Sequence, residues 1–332
     1  MIAFFGASVT EQKNGYVDHF SLAVDNIEVK KYGYGGMHLC DAGICFIDEV
    51  VKAKPTHCYV DWFSTSYNDI GDNTISYIDT IINKLTSIQC KVIFLFFPSR
   101  SPEKSDFYQY CKAALIERNI HYIPLDEKIT NSNIETILRD NIHTTAHGSR
   151  IYSEIILGDY YRSIIPAVNA VNETKYLSIK KLNVEKCFDE KVVLTGNCSI
   201  IGFLLTIGNH SGIVRVKSEM HTEEINTWDR WCHFPRLNFK FPMKMNGSAT
   251  LEILDVDFDT SSCKEIPCFR KFRKSLIIHN IFYIGGKLEV VNACDGKKIN
   301  HVQLKVNKTL GRIKQKLRGL KKFGFHSKNK LE

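Results

Sequence analysis

The stretch Met1-Ile2-Ala3-Phe4-Phe5-Gly6-Ala7-Ser8-Val9-Thr10 decides the fold of the first half of this chain. Its apolar run, residues 1–5, predicts a short buried strand, and the small residues that follow predict a tight turn into a helix. Ser8 is therefore expected at the carboxyl end of the first strand, the edge at which an open α/β sheet binds its ligands. A hydroxyl at this edge is a candidate nucleophile.

A candidate base and orienting acid occur far downstream, in Asp140-Asn141-Ile142-His143. These residues precede a helical pattern at about 147–164, so His143 is predicted to lie in a loop. A hydroxyl, an imidazole and a carboxylate together supply the nucleophile, base and orienting acid of a Ser/His/Asp hydrolase. Each piece alone is unspecific, and their positions in the predicted fold favour this interpretation.

Alternating strand and helix patterns predict a parallel sheet for the first half of the chain. Near-continuous apolar runs are typical of strands that helices cover on both faces. The runs are residues 1–5, 27–32, 58–63, 91–97 and 120–125, and the helical patterns between them are 41–53, 73–88 and 103–118. This alternation indicates a doubly wound α/β sheet.

The placement of Ser8 and of Asp140 with His143 resembles the SGNH (GDSL-like) hydrolase family, over roughly residues 1–165. The resemblance implies a flavodoxin-like doubly wound parallel sheet, with Ser8, Asp140 and His143 as the catalytic residues. The family's second block is a glycine loop after the second strand, and Gly33-Tyr34-Gly35-Gly36 matches it. Gly36 is then the backbone donor to the oxyanion. The alternative, a dinucleotide-binding turn, lacks the full glycine fingerprint.

The family's third block, Gly-x-Asn-Asp, matches here with a departure. Asn68-Asp69 supplies the Asn-Asp pair, but Ser66 stands where the family has glycine, and the pair lies two or three residues late. The resemblance implies Asn68 as the second oxyanion donor. The alternative interpretation of an Asn-Asp pair in a loop is a helix cap.

In the second half of the chain the alternation of strand and helix patterns stops. Short strand-like runs separated by Gly, Asn, Ser and Asp take its place. The runs are 176–182, 192–194, 200–207, 213–216, 237–241, 249–254, 276–283 and 288–291. Many short strands with turn signals indicate a β-sandwich or jelly roll. We therefore predict a hydrolase domain at 1–168, a β-sandwich-like domain at 175–300 and a tail at 301–332.

An aromatic and polar cluster between 227 and 236 is a candidate substrate-binding site in the β domain. Trp228, Asp229 and Arg236 have the chemistry that stacks on sugar rings and hydrogen-bonds their hydroxyls. The same residues also suit a domain core with an inter-domain ion pair, and the sequence leaves both interpretations open.

The net charge of +8 belongs mainly to the tail, because residues 297–332 carry 12 Lys and Arg against one acid. Residues 305–326 place apolar side chains at helical spacing among basic ones, which predicts a basic amphipathic helix on an anionic membrane surface. A solvated tail is the alternative. No recognised nucleic-acid motif accompanies the charge, so no nucleic-acid partner is expected.

The remaining composition favours a cytoplasmic protein, with the tail placing it at the inner face of a membrane. The 11 Cys are odd in number and scattered, which fits reduced thiols better than a disulfide framework. The first apolar run is too short for a signal peptide, and no run is long enough to span a membrane. His143 and His147 have helical spacing without a neighbouring Glu, so no metal is expected.

These features predict a serine esterase that removes O-acyl groups, chiefly O-acetyl, from a carbohydrate without a cofactor. One alternative is an O-acetyltransferase that modifies a surface polysaccharide during its biosynthesis, with acetyl-CoA as co-substrate. A second is a non-catalytic glycan-binding protein on a hydrolase fold, which the departure at the third block favours and the complete Ser8/Asp140/His143 set disfavours.

Overall fold

The computed structural model describes eleven segments of the chain, and every structural statement below concerns these residues. They are 1–65, 72–102, 104–129, 134–162, 178–189, 191–208, 211–227, 236–240, 245–254, 275–291 and 297–298. Asn68, Trp228, Asp229, the predicted domain boundary and the basic tail lie outside them. Only the backbone is described at Arg236.

The N-terminal half alternates strands and helices as predicted. Its strands are β1 (Ile2–Gly6), β2 (Val29–Gly33), β3 (His57–Asp61), β4 (Lys91–Phe96) and β5 (His121–Pro124). Its helices are α1 (Ser8–Glu11), α2 (Tyr16–Ala23), α3 (Ile47–Lys52), α4 (Asp72–Thr86), α5 (Lys104–Glu117), α6 (Leu125–Lys128), α7 (Ile134–Ile137) and α8 (Ala146–Arg162), with a π-helical turn at Leu39–Gly43.

The five described strands form one parallel sheet in the order β2-β1-β3-β4-β5. This is the flavodoxin-like order of a doubly wound fold, as predicted. Successive residues of β1 enter opposite cores: Ile2 and Phe4 pack on one face of the sheet, Ala3 and Phe5 on the other. Because helices cover both faces, β1 is apolar throughout.

One predicted helical pattern differs from the structure, and one helix of the structure was not predicted. The helix expected at 41–53 is divided into the π-helical turn at Leu39–Gly43 and the short helix α3. Helix α2 was not predicted from the sequence. It buries Tyr16, Val17 and Phe20, which is enough to hold a two-turn helix on the core although eight residues give only a weak periodic signal.

The second half is antiparallel β structure. Its described strands are β6 (Ile179–Phe188), β7 (Val192–Ile207), β8 (Ile213–Ser218), β9 (Thr222–Asn226), β10 (Arg236–Lys240), β11 (Met245–Asn246), β12 (Ala249–Leu254), β13 (Leu276–Val290) and β14 (Lys297–Lys298). All nine belong to one hydrogen-bonded sheet. The antiparallel β domain is therefore confirmed, although β7 and β13 are each one long strand where the sequence predicts two.

The long strand β7 organises this sheet. One edge of β7 pairs with β13, and the other pairs with β12, β11 and β10 along successive parts of its length. Apolar side chains on one face, such as Leu205, Ile207 and Ile281, form the core of this domain. The opposite face carries Leu204, Phe239 and Phe282, which join the core of the N-terminal half.

Contacts between the two halves centre on Phe46. Its ring meets Phe282 of β13 edge to face, with 5.9 Å between centroids. Lys181 of β6 lies over the Phe46 ring, and its Nζ is 3.7 Å from a carboxylate oxygen of Glu49. The β domain is thus packed against α3 and its neighbours by apolar contacts with a charged rim.

No helix among the described residues is both long and apolar enough to span a membrane.

Candidate active site

Three loops meet at the carboxyl edge of the parallel sheet because β1 lies between β2 and β3. Gly6, the last residue of β1, is aligned with Gly33 at the end of β2 and with Asp61 at the end of β3. The segments that follow these residues, including Ser8 and the glycine loop, therefore leave the sheet at the same level. This is where the sequence predicts the site.

The turn that presents Ser8 requires glycine at its start. A Cβ on Gly6 would collide with the Asp61 carbonyl oxygen and with Thr10 Oγ1. Ala7 N–H donates to that same carbonyl oxygen at 3.0 Å, and Ser8 is then the first residue of α1. The close approach of backbone and side chain at this turn fixes the direction in which the Ser8 hydroxyl leaves the sheet.

Ser8, His143 and Asp140 form one continuous hydrogen-bonded chain. His143 Nε2 is 2.8 Å from Ser8 Oγ, and His143 Nδ1 is 3.0 and 2.9 Å from the two carboxylate oxygens of Asp140. The structure therefore brings together the three residues predicted as catalytic. This is the arrangement in which imidazole can accept the serine proton while a carboxylate orients it.

Asp140 is held ionised by its own loop. Its Oδ1 accepts hydrogen bonds from the backbone N–H groups of Ile142, at 3.0 Å, and His143, at 2.8 Å. Partial burial raises the pKa of the Asp140 carboxyl, but these two bonds and the neighbouring His143 imidazole outweigh that effect and lower the pKa. An ionised Asp140 is the form that stabilises a charged imidazole.

The loop that carries both residues is anchored at its base. Leu138 and Thr144 pair as an antiparallel bridge, so residues 139–143 form a closed loop before α8. Arg100, in the segment after β4, supports it, since its backbone N–H donates to Asn141 O at 3.0 Å and its guanidinium donates to Leu138 O at 2.7 Å.

The glycine loop offers one backbone donor at its exposed end. Gly35 N–H donates to a Glu11 carboxylate oxygen at 3.0 Å, and Met37 N–H donates to Tyr34 O at 3.2 Å. Gly36 lies between them, solvent-exposed, with φ of +72°. Glycine adopts this left-handed conformation without strain, so a glycine at this position suits the exposed end of the loop.

The segment after β3 is tied to the glycine loop, although Asn68 itself is outside the described residues. Thr65 Oγ1 donates to Met37 O at 2.9 Å. The buried Lys104 ammonium donates to Phe63 O at 2.9 Å and also to Ser64 O. Burial lowers the pKa of Lys104 to about 8, although Asp61 partly offsets this. These contacts hold the third-block segment beside the predicted oxyanion donor as far as Thr65.

A buried carboxyl beneath Ser8 was not singled out from the sequence. Asp61 is fully buried, and its Oδ2 accepts a hydrogen bond from Thr10 Oγ1 at 2.9 Å. Burial raises the pKa of Asp61 to about 7, and hydrogen bonds and Lys104 only partly oppose this. Asp61 thus holds α1 through Thr10 and the preceding turn through its own carbonyl oxygen.

A second hydroxyl–imidazole–carboxylate chain lies on the antiparallel sheet. His279 Nε2 is 2.6 Å from Thr206 Oγ1, and His279 Nδ1 is 2.9 Å from Glu185 Oε2. His279 occupies a register shift of β13, and Glu185 has φ of +47°. We call this set the sheet relay. No sequence motif pointed to it, because its three residues come from three different strands.

The surroundings of the sheet relay differ from those of Ser8. Thr206 is paired with Ile277 on one side and Leu237 on the other, so its backbone N–H is committed to the sheet. Ser8 begins a helix whose N-cap residue, Ala7, makes no side-chain capping bond. The first N–H groups of a helix have no partner within it, so they are available to a ligand.

Among the described residues, no group of three or more His, Cys, Asp or Glu side chains is arranged to hold a metal ion.

Comparisons with known proteins agree with this architecture. No family model and no curated protein matches the sequence. Among solved structures, a two-domain esterase active on acetylated mannans, crystallised with mannopentaose, aligns over 86% of this chain and 90% of its own, at 11% identity and a TM-score of 0.59.

Two further similar structures align with about half of the chain. An acetyl xylan esterase aligns over 47% of this chain and 98% of its own, at 18% identity and a TM-score of 0.42. A lipase/acylhydrolase from Enterococcus faecalis aligns over 52% and 98%, at 17% identity and a TM-score of 0.41. The strand order and the two-domain alignment together show an SGNH-like α/β fold followed by an antiparallel β domain, as the resemblance implies.

Proposed function

We propose that this protein is a serine esterase that removes O-acetyl groups from a carbohydrate. The observation that carries the proposal is the unbroken hydrogen-bonded chain from Ser8 through His143 to Asp140. It joins a nucleophile, a base and an orienting acid at the ligand-binding edge of the sheet. Such a set is built for acyl transfer through a covalent intermediate.

In the first half-reaction, His143 Nε2 accepts the Ser8 proton as Ser8 Oγ attacks the ester carbonyl carbon. The oxyanion accepts hydrogen bonds from the N–H groups of Ser8 and Gly36 and from the Asn68 amide. Each such donor contributes about 3–4 kcal/mol to the transition state in comparable sites. His143 then returns the proton to the leaving sugar hydroxyl, and Ser8 is left as an acetyl ester.

In the second half-reaction, water attacks the acetyl ester while His143 removes its proton. The tetrahedral intermediate collapses, acetate leaves, and the proton returns to Ser8 Oγ. Asp140 stays ionised throughout and stabilises the imidazolium each time it forms. The chemistry uses only the side chains and backbone of this chain, together with water, and needs no cofactor.

A carbohydrate ester is the substrate class that we favour. The support is the two-domain arrangement, which this chain shares along most of its length with an esterase active on acetylated mannans. We propose that the chain is divided into a hydrolase domain at 1–168 and a β domain at 175–300. Trp228, Asp229 and Arg236 remain our candidates for sugar contacts in the β domain.

One incubation separates hydrolysis from transfer and from binding alone. Purified protein is given a chromogenic acetyl ester, with and without an oligosaccharide acceptor, and free acetate and acetylated sugar are measured together. We expect acetate in both reactions, and none with Ser8→Ala. Acetylated sugar formed at the expense of acetate would indicate that the protein is an O-acetyltransferase and not an esterase. Glycan binding without any turnover would indicate a non-catalytic protein.

A further inference from the structure

The contact between Ser8 and His143 depends on a link that the triad does not itself provide. Asp140 and His143 lie three residues apart in one loop, and Asp140 holds that loop through two backbone N–H groups. Ser8 and His143 are 135 residues apart and belong to different elements. Something must fix α1 against the histidine loop, because a hydroxyl–imidazole hydrogen bond tolerates little displacement.

Gln12 provides that link. Its backbone N–H donates to Ser8 O at 3.0 Å, at the end of α1. Its side-chain Nε2 donates to Thr144 O at 3.1 Å, and its Oε1 accepts a hydrogen bond from Thr144 Oγ1 at 3.3 Å. Thr144 directly follows His143 in the chain. One residue therefore bonds to the nucleophile's backbone and to the neighbour of the base.

Both ends of this link are themselves held in place. Thr144 is buried, and its hydroxyl lies 2.7 Å from Ser149 Oγ in α8. The Gln12 carbonyl oxygen accepts a hydrogen bond from Lys31 Nζ at 3.2 Å, and Lys31 also pairs with Asp18 at 2.6 Å. The link thus connects two anchored segments and restricts their relative motion.

A primary amide of this length matches both groups of Thr144. Its N–H donates to the Thr144 carbonyl oxygen, and its oxygen accepts from the Thr144 hydroxyl, which also lies 2.7 Å from Ser149 Oγ. Glutamate has no N–H and would place a carboxylate against the carbonyl oxygen. Asparagine is shorter by one methylene, and methionine fills the space without hydrogen-bonding strongly. The substitutions to glutamate, asparagine and methionine therefore test separately the N–H donor, the length and the volume of the Gln12 side chain.

We propose that Gln12 is a positioning residue for catalysis, which sets the distance between Ser8 Oγ and His143 Nε2; this inference rests on the proposed function. Gln12 acts through its bonds to Ser8 and Thr144. Its loss should lower kcat and leave KM almost unchanged. Misplacement of a reacting group by about 1 Å can cost about 100-fold in rate. We expect a fall of roughly 10- to 100-fold.

The test measures how fast a fluorophosphonate reacts with Ser8, together with kcat and KM on a chromogenic acetyl ester and the thermal unfolding midpoint. The proteins are the wild type, Gln12→Glu, Gln12→Asn, Gln12→Met, Thr144→Val and the double variant Gln12→Met/Thr144→Val. Gln109→Ala is the matched control, since Gln109 is exposed on α5. The fluorophosphonate reports on Ser8 whatever the natural substrate is.

We expect every Gln12 variant and Thr144→Val to label more slowly and to lose kcat at unchanged KM. The double variant should be no slower than the worse single one, since both remove the same link. Equal labelling rates and equal kcat in the wild type and all three Gln12 variants would overturn the inference and leave the proposed function intact. A wild-type protein that is not labelled at Ser8 would overturn the proposed function itself. If one variant unfolds, the labelling rates and kcat of the remaining folded variants test the inference.

Discussion

The proposed catalytic triad of Ser8, His143 and Asp140 and the sheet relay have nearly the same internal geometry. The hydroxyl–imidazole distances are 2.8 Å in the triad and 2.6 Å in the relay, and the shortest imidazole–carboxylate distance is 2.9 Å in both. The two differ in what surrounds the hydroxyl. Ser8 begins a helix beside a glycine loop, whereas Thr206 lies within a strand paired on both sides.

From this difference we infer that a hydrogen-bonded hydroxyl, imidazole and carboxylate are not sufficient for ester hydrolysis. Acyl transfer also needs donors for the oxyanion, and these come from backbone N–H groups that secondary structure leaves unpaired. At Ser8, the junction between a strand and a helix leaves backbone N–H groups without a partner in the helix. At Thr206, the interior of a sheet commits the backbone N–H to hydrogen bonds between strands. We therefore propose that the triad, and not the sheet relay, carries the chemistry.

The largest effect is expected at the hydroxyl and the imidazole of the triad, Ser8 and His143. Ser8→Ala and His143→Ala should each lower ester turnover by about 10,000-fold or more, because single losses in a triad cost nearly as much as the whole set. Thr206→Val and His279→Phe, the matched changes in the sheet relay, should leave turnover on a small acetyl ester unchanged. The measurement is kcat/KM with circular dichroism of each variant. Near-normal activity in a folded Ser8→Ala variant would contradict the proposed mechanism, in which Ser8 is the nucleophile.

A smaller effect is expected from the oxyanion donor that the resemblance implies. Asn68→Ala should lower kcat roughly 100-fold with little change in KM, since the amide acts mainly on the transition state. Steady-state kinetics on the acetyl ester measures this. An unchanged rate would mean that the third block has been misassigned, and Ser66 would be the next residue to test.

The buried carboxyl beneath Ser8 predicts a dependence of stability on pH. The pKa of Asp61 is about 7 in the folded protein against an ordinary value of 3.8, so the folded state binds the proton more tightly. The free energy of unfolding of the wild type, relative to Asp61→Asn, should therefore fall as pH rises from about 4 to about 7, by up to about 4 kcal/mol.

Urea unfolding of both proteins at several pH values measures this difference. Asp25→Asn, on an exposed turn, is the control and should show no such trend. A difference between wild type and Asp61→Asn that stays constant, or grows with pH, would contradict the account of Asp61. The sheet relay has no comparable buried carboxyl, since Glu185 is exposed, so Glu185→Gln should not reproduce the trend.

The smallest effect on activity is expected from the tail. We propose that residues 305–326 attach the protein to anionic membrane, where each Lys or Arg contributes about 1 kcal/mol and salt screens the attraction. Deleting them should leave turnover of a soluble ester unchanged but abolish salt-sensitive sedimentation with anionic vesicles. Equal sedimentation of full-length and truncated protein would exclude the tail as the anchor.

The sequence predicted the parallel sheet and the meeting of Ser8 with His143 because both follow from local patterns and from strand topology. Apolar runs such as Ile2–Gly6 mark buried strands, and parallel strands bring their carboxyl ends to one edge. The acid and base are three residues apart, so a single motif contains both. The glycine loop was identified through the resemblance, and Gly36, with its φ of +72°, is exposed where the resemblance places a backbone donor.

The contacts that hold the site could not be predicted in this way. Gln12 and Thr144 are 132 residues apart, and neither belongs to a motif. The sequence alone does not distinguish Asp61 from an ordinary strand residue, and only the structure shows that it is buried beneath α1. The long strands β7 and β13 contain polar interruptions that suggest turns in the sequence, but the structure keeps them within the paired strands, with a register shift between Gly285 and Leu288 of β13. Long-range pairing decides all of these features.

The proposed mechanism requires Ser8 to carry the acetyl group during turnover, and trapping the acetyl-enzyme tests this requirement. The protein is mixed with a chromogenic acetyl ester, quenched in acid within the first turnovers, digested and mapped by mass spectrometry. The account predicts one added acetyl group on the peptide that contains Ser8, absent from Ser8→Ala and present in Thr206→Val. Acetylation of a residue other than Ser8 during turnover, or turnover with no acetyl group on Ser8, would contradict it.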